Sequence, residues 1–299
     1  MMAELYCNLC PRKCNVTRQK AVGYCGAPDT LKVARAALHF WEEPPISGEN
    51  GSGAVFFSHC PLKCVYCQNR EISSGGDGLE ISVERLVEIF FELREKGAHN
   101  INLVSPTQYA DKILCAIKSA KDKGFDIPFV WNTSGYESVE TLKSLAGYVD
   151  VYLTDFKYAS NELSKKYSHA QDYPAVAREA LCEMMRQQPR CIFEDGIMKK
   201  GVIVRHMLLP SFTDDSKDVI DVFCDVCKNG AYLSLMRQYT PPKECGFTEI
   251  MRPVNDSEYD GVVGYAELLG IKKLFLQESE SVSESFIPKF NYTGVLKGE

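Results

Sequence analysis

Seven of the thirteen cysteines in this 299-residue chain fall into two tight groups, and their spacing is the first sign of chemistry. Cys60, Cys64 and Cys67 lie in FFSHCPLKCVYCQN, the stretch from Phe56 to Asn69, with three residues between the first pair and two between the second. Thiolates select soft metals, and a four-iron cluster ordinarily takes four cysteines. Three ligands in one loop therefore leave one iron open to an exogenous group, and an open position marks reactive rather than structural metal sites. A zinc site would want a fourth ligand and a closed shell. His59, adjacent to Cys60, is poorly placed to share the metal and reads as a hydrogen-bonding neighbour.

The second group, Cys7, Cys10, Cys14 and Cys25 in CNLCPRKCNVTRQKAVGYC, offers four thiolates in a turn-rich segment. That set suits a closed zinc site or a second iron–sulfur cluster, which ligand identity alone does not separate. Either would staple a module too short to have its own core. The six remaining cysteines read for the most part as small buried hydrophobes, including Cys224 and Cys227, whose CxxC lies in an amphipathic helical pattern. Glu42 and Glu43 in WEEPP resemble an acid–base pair but have no partner nearby in sequence, and read as a solvated turn before Pro44.

A hydrophobic fraction of 45% is that of a globular protein, and the length allows one large α/β domain or two ordinary ones. With 34 Lys plus Arg against 40 Asp plus Glu, the net charge of -6 gives no basic field for phosphate backbones, so no nucleic acid partner is expected. No run of 18 apolar residues occurs, and no apolar h-region precedes the first cysteine. Clustered cysteines fit a reducing compartment better than disulfides. A soluble cytoplasmic protein with no membrane association is expected.

From about residue 54 onward, short apolar runs alternate with longer stretches of helical period, the pattern of repeated βα units and a parallel sheet. The strands are expected in AVFFSHC, NINLVS, PFVWNTSG, VDVYLTDFK, GVIVRHMLLP and AYLSLMRQY. Helices such as SVERLVEIFFELREKG and YADKILCAIKSAKDKG lie between them. Lysine or asparagine followed by glycine, in EKG, DKG and KNG, marks helix C-termini. The expected fold is α/β, a partial (β/α)6 TIM-like barrel with a small N-terminal cysteine-rich extension. SEYDGVVGYAELLG and KKLFLQ could close one edge. Residues 1–50 form the extension, 51–280 the barrel and 281–299 a surface tail.

In such a barrel the C-terminal ends of the strands carry the active face, which is where Cys60 to Cys67 fall. Alternate residues of a strand share a face, so Asp155 and Lys157 in LTDFK point the same way at the fourth strand's end, as a ligand contact or a plain ion pair. Asn132 and Ser134 lie at the third strand's end, with Gly135 permitting close backbone approach. Arg205 sits in an otherwise apolar strand, where a charge needs a partner or a ligand. His206 faces the other way and reads as structural. Gln238 and Tyr239 read as a packed strand end.

The CxxxCxxC loop, with Tyr66 just before its last cysteine, resembles that of the radical S-adenosylmethionine (SAM) superfamily. GSGAVFFSHCPLKCVYCQN is most similar to the branch of pyruvate formate-lyase-activating enzymes and their uncharacterised relatives. The resemblance, over roughly residues 50–280, implies a 4Fe-4S cluster on Cys60, Cys64 and Cys67 whose free iron binds SAM. It further implies reductive cleavage to methionine and a 5'-deoxyadenosyl radical that takes hydrogen from a substrate. It places Tyr66 near adenine and Asn132, Ser134, Asp155, Lys157 and Arg205 around SAM. It also suggests a glycyl-radical enzyme as protein substrate and reduced flavodoxin or ferredoxin as electron donor. Other expectations are a small-molecule or other macromolecular substrate, or a non-catalytic iron–sulfur or zinc protein.

One departure stands out. Where the family carries Gly-Gly-Glu after the second strand, this chain reads VSPTQ, without a carboxylate. Ser105 or Thr107, or the Gln108 amide, would then hydrogen-bond the SAM amine, with the loss of a charge-assisted contact.

Overall fold

A computed structural model describes residues 6–242, 245–277 and 288–298. The chain opens with β1 (Leu31–His39), α1 (Pro44–Ser47) and β2 (Ser52–Phe57), then α2 (Arg70–Ser73), β3 (Leu79–Ile81) and α3 (Val83–Glu95). The βα alternation follows as β4 (Ile101–Val104), α4 (Ala110–Asp122), β5 (Phe129–Thr133), α5 (Val139–Ser144) and β6 (Val151–Asp155). After α6 (Asn161–Ser168) and α7 (Tyr173–Gln187) come β7 (Ile192–Glu194), β8 (Ile197–Met207), α8 (Thr213–Cys227), β9 (Tyr232–Met236), α9 (Asp256–Leu268) and β10 (Leu274–Leu276). All six expected strands are present, and KKLFLQ adds β10 in parallel at one edge.

The sheet runs β10-β9-β8-β6-β5-β4-β2-β1-β3, with β7 folded back on β8. From β2 to β10 neighbours along this path are parallel, whereas β1 pairs antiparallel with β2 and β3. Among the described residues the two edges do not meet, so the barrel is partial. Parallel strands covered on both faces are mostly apolar, and β2, β4 and β5 are fully buried with few polar exceptions, among them Asn102 in β4 and Asn132 in β5. The caps work as their residue types dictate. Ser82 accepts from the Arg85 N–H at the start of α3, and Gly97 and Gly124 take left-handed backbone just past α3 and α4. At α8 the left-handed residues are Lys228 and Asn229, not the glycine of KNG.

Residues facing the barrel interior form layers. Ile46 from α1 packs with Val130, Val151, Leu153, Met198 and Ile203, so this short helix plugs the bottom of the barrel. Above lie the polar side chains of Asn102, Asn132, Asp155 and Arg205. Outside, His206 is buried between the Phe156 carbonyl (2.8 Å) and the Ser216 hydroxyl (2.9 Å), a structural role.

Three local expectations change. The division at residue 50 falls between two paired strands, since β1 from the cysteine-rich side pairs with β2 in one sheet. Residues 281–287 of the tail lie outside the described residues, but 288–298 are not a free surface segment. Tyr292 N–H donates to the Ala34 carbonyl, Ala36 N–H donates to the Thr293 carbonyl, and Val295 is buried. Of the scattered cysteines, Cys227 is buried, but Cys115 and Cys182 are exposed, because they fall on the outer faces of α4 and α7.

Candidate functional site

The loop after β2 carries Cys60, Cys64 and Cys67 over the open end of the barrel. Its tight wrapping needs left-handed backbone at His59 (φ 72°) and Lys63 (φ 56°). Each thiol meets a hydrogen-bond donor. The backbone of Leu62 and Lys63 points at Cys60, the Ser168 hydroxyl lies 2.8 Å from Cys64 Sγ, and the Ser73 hydroxyl lies 3.2 Å from Cys67 Sγ. Burial pushes the Cys64 thiol up to about 12 and raises Cys60. Buried sulfurs with donors already aimed at them are what a thiolate-bound cluster requires, and such donors tune its potential. His59 turns its ring to the Cys25 backbone, the hydrogen-bonding neighbour its position suggests, and burial lowers its pKa to about 4.

The three thiols line one cavity together with Tyr66, Ser105, Asn132, Ser134, Asp155, Lys157, Arg205 and Gln238. Its floor is a connected charge network. Asp155 Oδ2 holds Lys157 Nζ at 2.6 Å, and Asp155 Oδ1 accepts from Arg205 Nε at 2.9 Å. Arg205 then reaches Asn132 Oδ1 (2.7 Å) and Glu42 Oε2 (3.0 Å). Burial alone would raise Asp155, but Arg205 and Lys157 outweigh it and hold it below the ordinary carboxylate value. Burial opposes the Lys157 charge too, yet Asp155 and the nearby Cys64 thiol keep that ammonium above its usual value.

Glu42 and Glu43 correct the solvated-turn reading. Glu42 Oε1 accepts from Asn102 (3.0 Å) and Asn132 (3.1 Å), and its side chain is only 10% exposed. Burial, followed by the opposing pull of Arg205, leaves Glu43 raised to about 7, with Oε2 lacking a partner. Nothing local marks these glutamates, because their partners come from β4, β5 and β8. Pro44 and Pro45, which follow the glutamates and start α1, are the one sequence signal that the turn is fixed.

Thr107 is corrected as well. It lies in the short 3-10 turn Thr107–Tyr109, and its buried hydroxyl donates to Glu137 Oε1 at 2.7 Å, away from the cavity. Gln108 likewise turns its amide to the carbonyls of Ser58, His59 and Ser105, bracing the cysteine loop. Ser105, in left-handed backbone (φ 55°), is the polar residue that VSPTQ presents to the cavity, beside Val104. Gly135 (φ 79°) serves a protein contact rather than a ligand: a Cβ there would lie 2.2 Å from the Asp155 carbonyl. Tyr66 exchanges a hydrogen bond with Tyr158 (2.5 Å) and packs edge-on against Tyr239. Tyr239 itself is buried just past the end of β9, and its hydroxyl donates to the Ile250 carbonyl.

The sequence model of the Radical SAM superfamily matches residues 54–223, which run from β2 with its cysteine loop through most of α8. The chain belongs to the radical SAM superfamily. Membership implies a 4Fe-4S cluster and SAM, and the donor set at Cys60, Cys64 and Cys67 fits that cluster. An uncharacterized protein of Methanocaldococcus jannaschii is 29% identical over 280 residues, 90% of this chain and 76% of the relative. Streptococcus suis SuiB bound to S-adenosylmethionine has a similar fold, with a TM-score of 0.51 at 13% identity over 73% of this chain and 48% of that one. The chain thus spans about half the length of that neighbour. A radical SAM methyltransferase from Sphaerobacter thermophilus gives 0.52 at 13% identity, over 77% of this chain and 67% of that one. At such identities the likeness concerns the fold. No described helix is long and apolar enough to cross a membrane.

Proposed function

We propose that this radical SAM enzyme holds SAM between its cysteine loop and the Asp155–Lys157–Arg205 network and directs hydrogen abstraction at a backbone glycine of a partner enzyme. The observation that carries the cofactor reading is the single cavity in which three donor-supplied thiols face that network. When bound, cluster and SAM supply one-electron cleavage of the sulfonium C–S bond and, with it, hydrogen-abstracting power. The residues of the chain bind and orient. Lys157, steadied by Asp155, offers its ammonium to the ligand carboxylate, and the Ser105 hydroxyl takes the amine, a reading its position in the cavity lining supports. Asn132, Ser134 and Arg205 shape the remaining pocket, with Tyr66 beside adenine. Reduced flavodoxin or ferredoxin is the proposed electron donor.

The glycine substrate rests on the likeness of GSGAVFFSHCPLKCVYCQN to the activating-enzyme branch. A small polar substrate is the second reading, and the floor favours it. Glu42, Asn102 and Asn132 form a hydrogen-bonding layer above an apolar plug, a surface able to orient a small ligand.

Anaerobic reconstitution with iron and sulfide, then reduction with SAM present, should yield 5'-deoxyadenosine and methionine. An intact cluster that yields neither rejects the proposal. Cys64→Ala should abolish cleavage. Deuterium placed on the partner's glycine should appear in 5'-deoxyadenosine; transfer from a small molecule instead selects the second reading.

A further inference from the structure

Cys7, Cys10, Cys14 and Cys25 take no part in the cavity, yet the chain is folded around them. Cys7 N–H donates to the Val16 carbonyl (2.9 Å) and Asn15 N–H returns to the Cys7 carbonyl (3.1 Å), which brings Cys7 beside Cys14. A turn closes from Cys10 to Lys13, with left-handed backbone at Lys13 and Asn15. Tyr24 N–H is 3.3 Å from Cys14 Sγ, and Ala27 N–H is 3.4 Å from Cys25 Sγ. A Cβ on Gly23 would lie 2.9 Å from Cys14 Sγ, so only glycine lets the chain pass this close to the thiol. Backbone donors aimed at sulfur suit thiolates. The buried Cys10 and the partly buried Cys25 each lie within electrostatic reach of other cysteines of the set.

Apolar burial does not hold this segment together, since between residues 6 and 28 only Cys10 and Ala27 are buried. A segment so poor in core needs a staple. Among the described residues no three Cys, His, Asp or Glu side chains are already drawn to the spacing of a single ion's shell, and that applies equally to Cys60, Cys64 and Cys67. Final closure around a metal would then come with its binding.

The segment sits directly on the cysteine loop. The Arg12 guanidinium donates to the carbonyls of Pro61 (3.0 Å), His169 (2.7 Å) and Ser168 (3.4 Å), and stacks on Tyr24 at 4.1 Å. Pro61 follows Cys60, and the Ser168 hydroxyl is the donor to Cys64. The Cys25 backbone meets the ring of His59, the neighbour of Cys60 on its other side.

We propose that Cys7, Cys10, Cys14 and Cys25 bind one tetrathiolate metal centre, and that this centre positions the Cys60–Cys67 loop through Arg12 and the Cys25–His59 contact. The second half rests on the radical SAM reading, in that the positioned loop carries the SAM-binding cluster. Zinc and an iron–sulfur cluster share the ligand chemistry, so the test separates them.

The full-length variant Cys60→Ala/Cys64→Ala/Cys67→Ala, purified anaerobically, should retain metal. Zinc without sulfide identifies an ion; iron with sulfide identifies a cluster. A folded variant without either overturns the site, whatever the parent chain does with SAM. A parent that never yields 5'-deoxyadenosine overturns the enzyme reading and leaves the metal site standing. For positioning, Arg12→Gln keeps all cysteines. It should shift the EPR spectrum of the reduced loop cluster and weaken iron retention against a chelator about 10–100-fold, with Arg12→Lys intermediate. An unchanged spectrum and unchanged retention in Arg12→Gln overturn the coupling.

Discussion

Arg205 is the residue on which the floor depends, because it joins Asp155, Asn132 and Glu42, residues supplied by β6, β5 and the turn after β1. Its side chain is 14% exposed, so removing it strands two carboxylates with little water. Breaking a buried pair from one side costs about 3–5 kcal/mol, and Arg205→Met should lower the stability of the metal-free chain by that order in urea unfolding under reducing conditions. Glu43 gives a pH signature. Its pKa, raised from an ordinary 4.5 to about 7, means that the folded chain binds this proton more tightly than the unfolded one. Its contribution is complete below about 4.5 and is lost as the pH rises through about 7. Glu43→Gln should therefore flatten the decline of stability across that window. Asp215, raised to about 6 by burial, acts in the same direction, so the difference between variant and parent is the quantity to measure.

At the scale of elements, the short α1 matters more than its length suggests. Ile46 is fully buried beneath the polar floor, and truncating such a side chain leaves a cavity. Ile46→Ala should cost about 2–5 kcal/mol in the same unfolding experiment. If the plug also supports the floor, the variant should bind SAM more weakly under conditions where it is fully folded. By contrast Ser82→Ala removes only the cap of α3, an outer helix, for about 1 kcal/mol and no change in SAM binding. Both helices have ordinary sequence signals at their starts, a proline pair and a serine cap. What separates their roles is the face of the sheet on which each one lies.

For the whole molecule, the continuity of β1 with the barrel sheet decides how the N-terminal region can be dissected. Deleting residues 1–50 removes β1 and Glu42 as well as four cysteines, exposes the edge of β2, and strips the Tyr292 N–H and the Thr293 carbonyl of their partners Ala34 and Ala36. That deletion should abolish cooperative unfolding and favour aggregation, as judged by light scattering. Point substitutions are therefore the sound route to the function of the N-terminal cysteines. The sequence by itself determined the cysteine loop, the βα order and the inward residues Asn132, Asp155 and Arg205. All of these rest on local spacing or the two-residue period of a strand, which survive without knowledge of the fold. Thr107 shows the limit of such reading: it is two residues from Ser105, yet a 3-10 turn sends it to Glu137. Only the tertiary structure decided that Glu42 belongs to the floor, that β1 and residues 288–298 complete the sheet edge, and that Gly135 yields to the Asp155 backbone. The physical reason is sequence separation. Glu42 and Arg205 stand 163 residues apart, and no local pattern encodes a hydrogen bond that exists only once β8 has come to lie above α1.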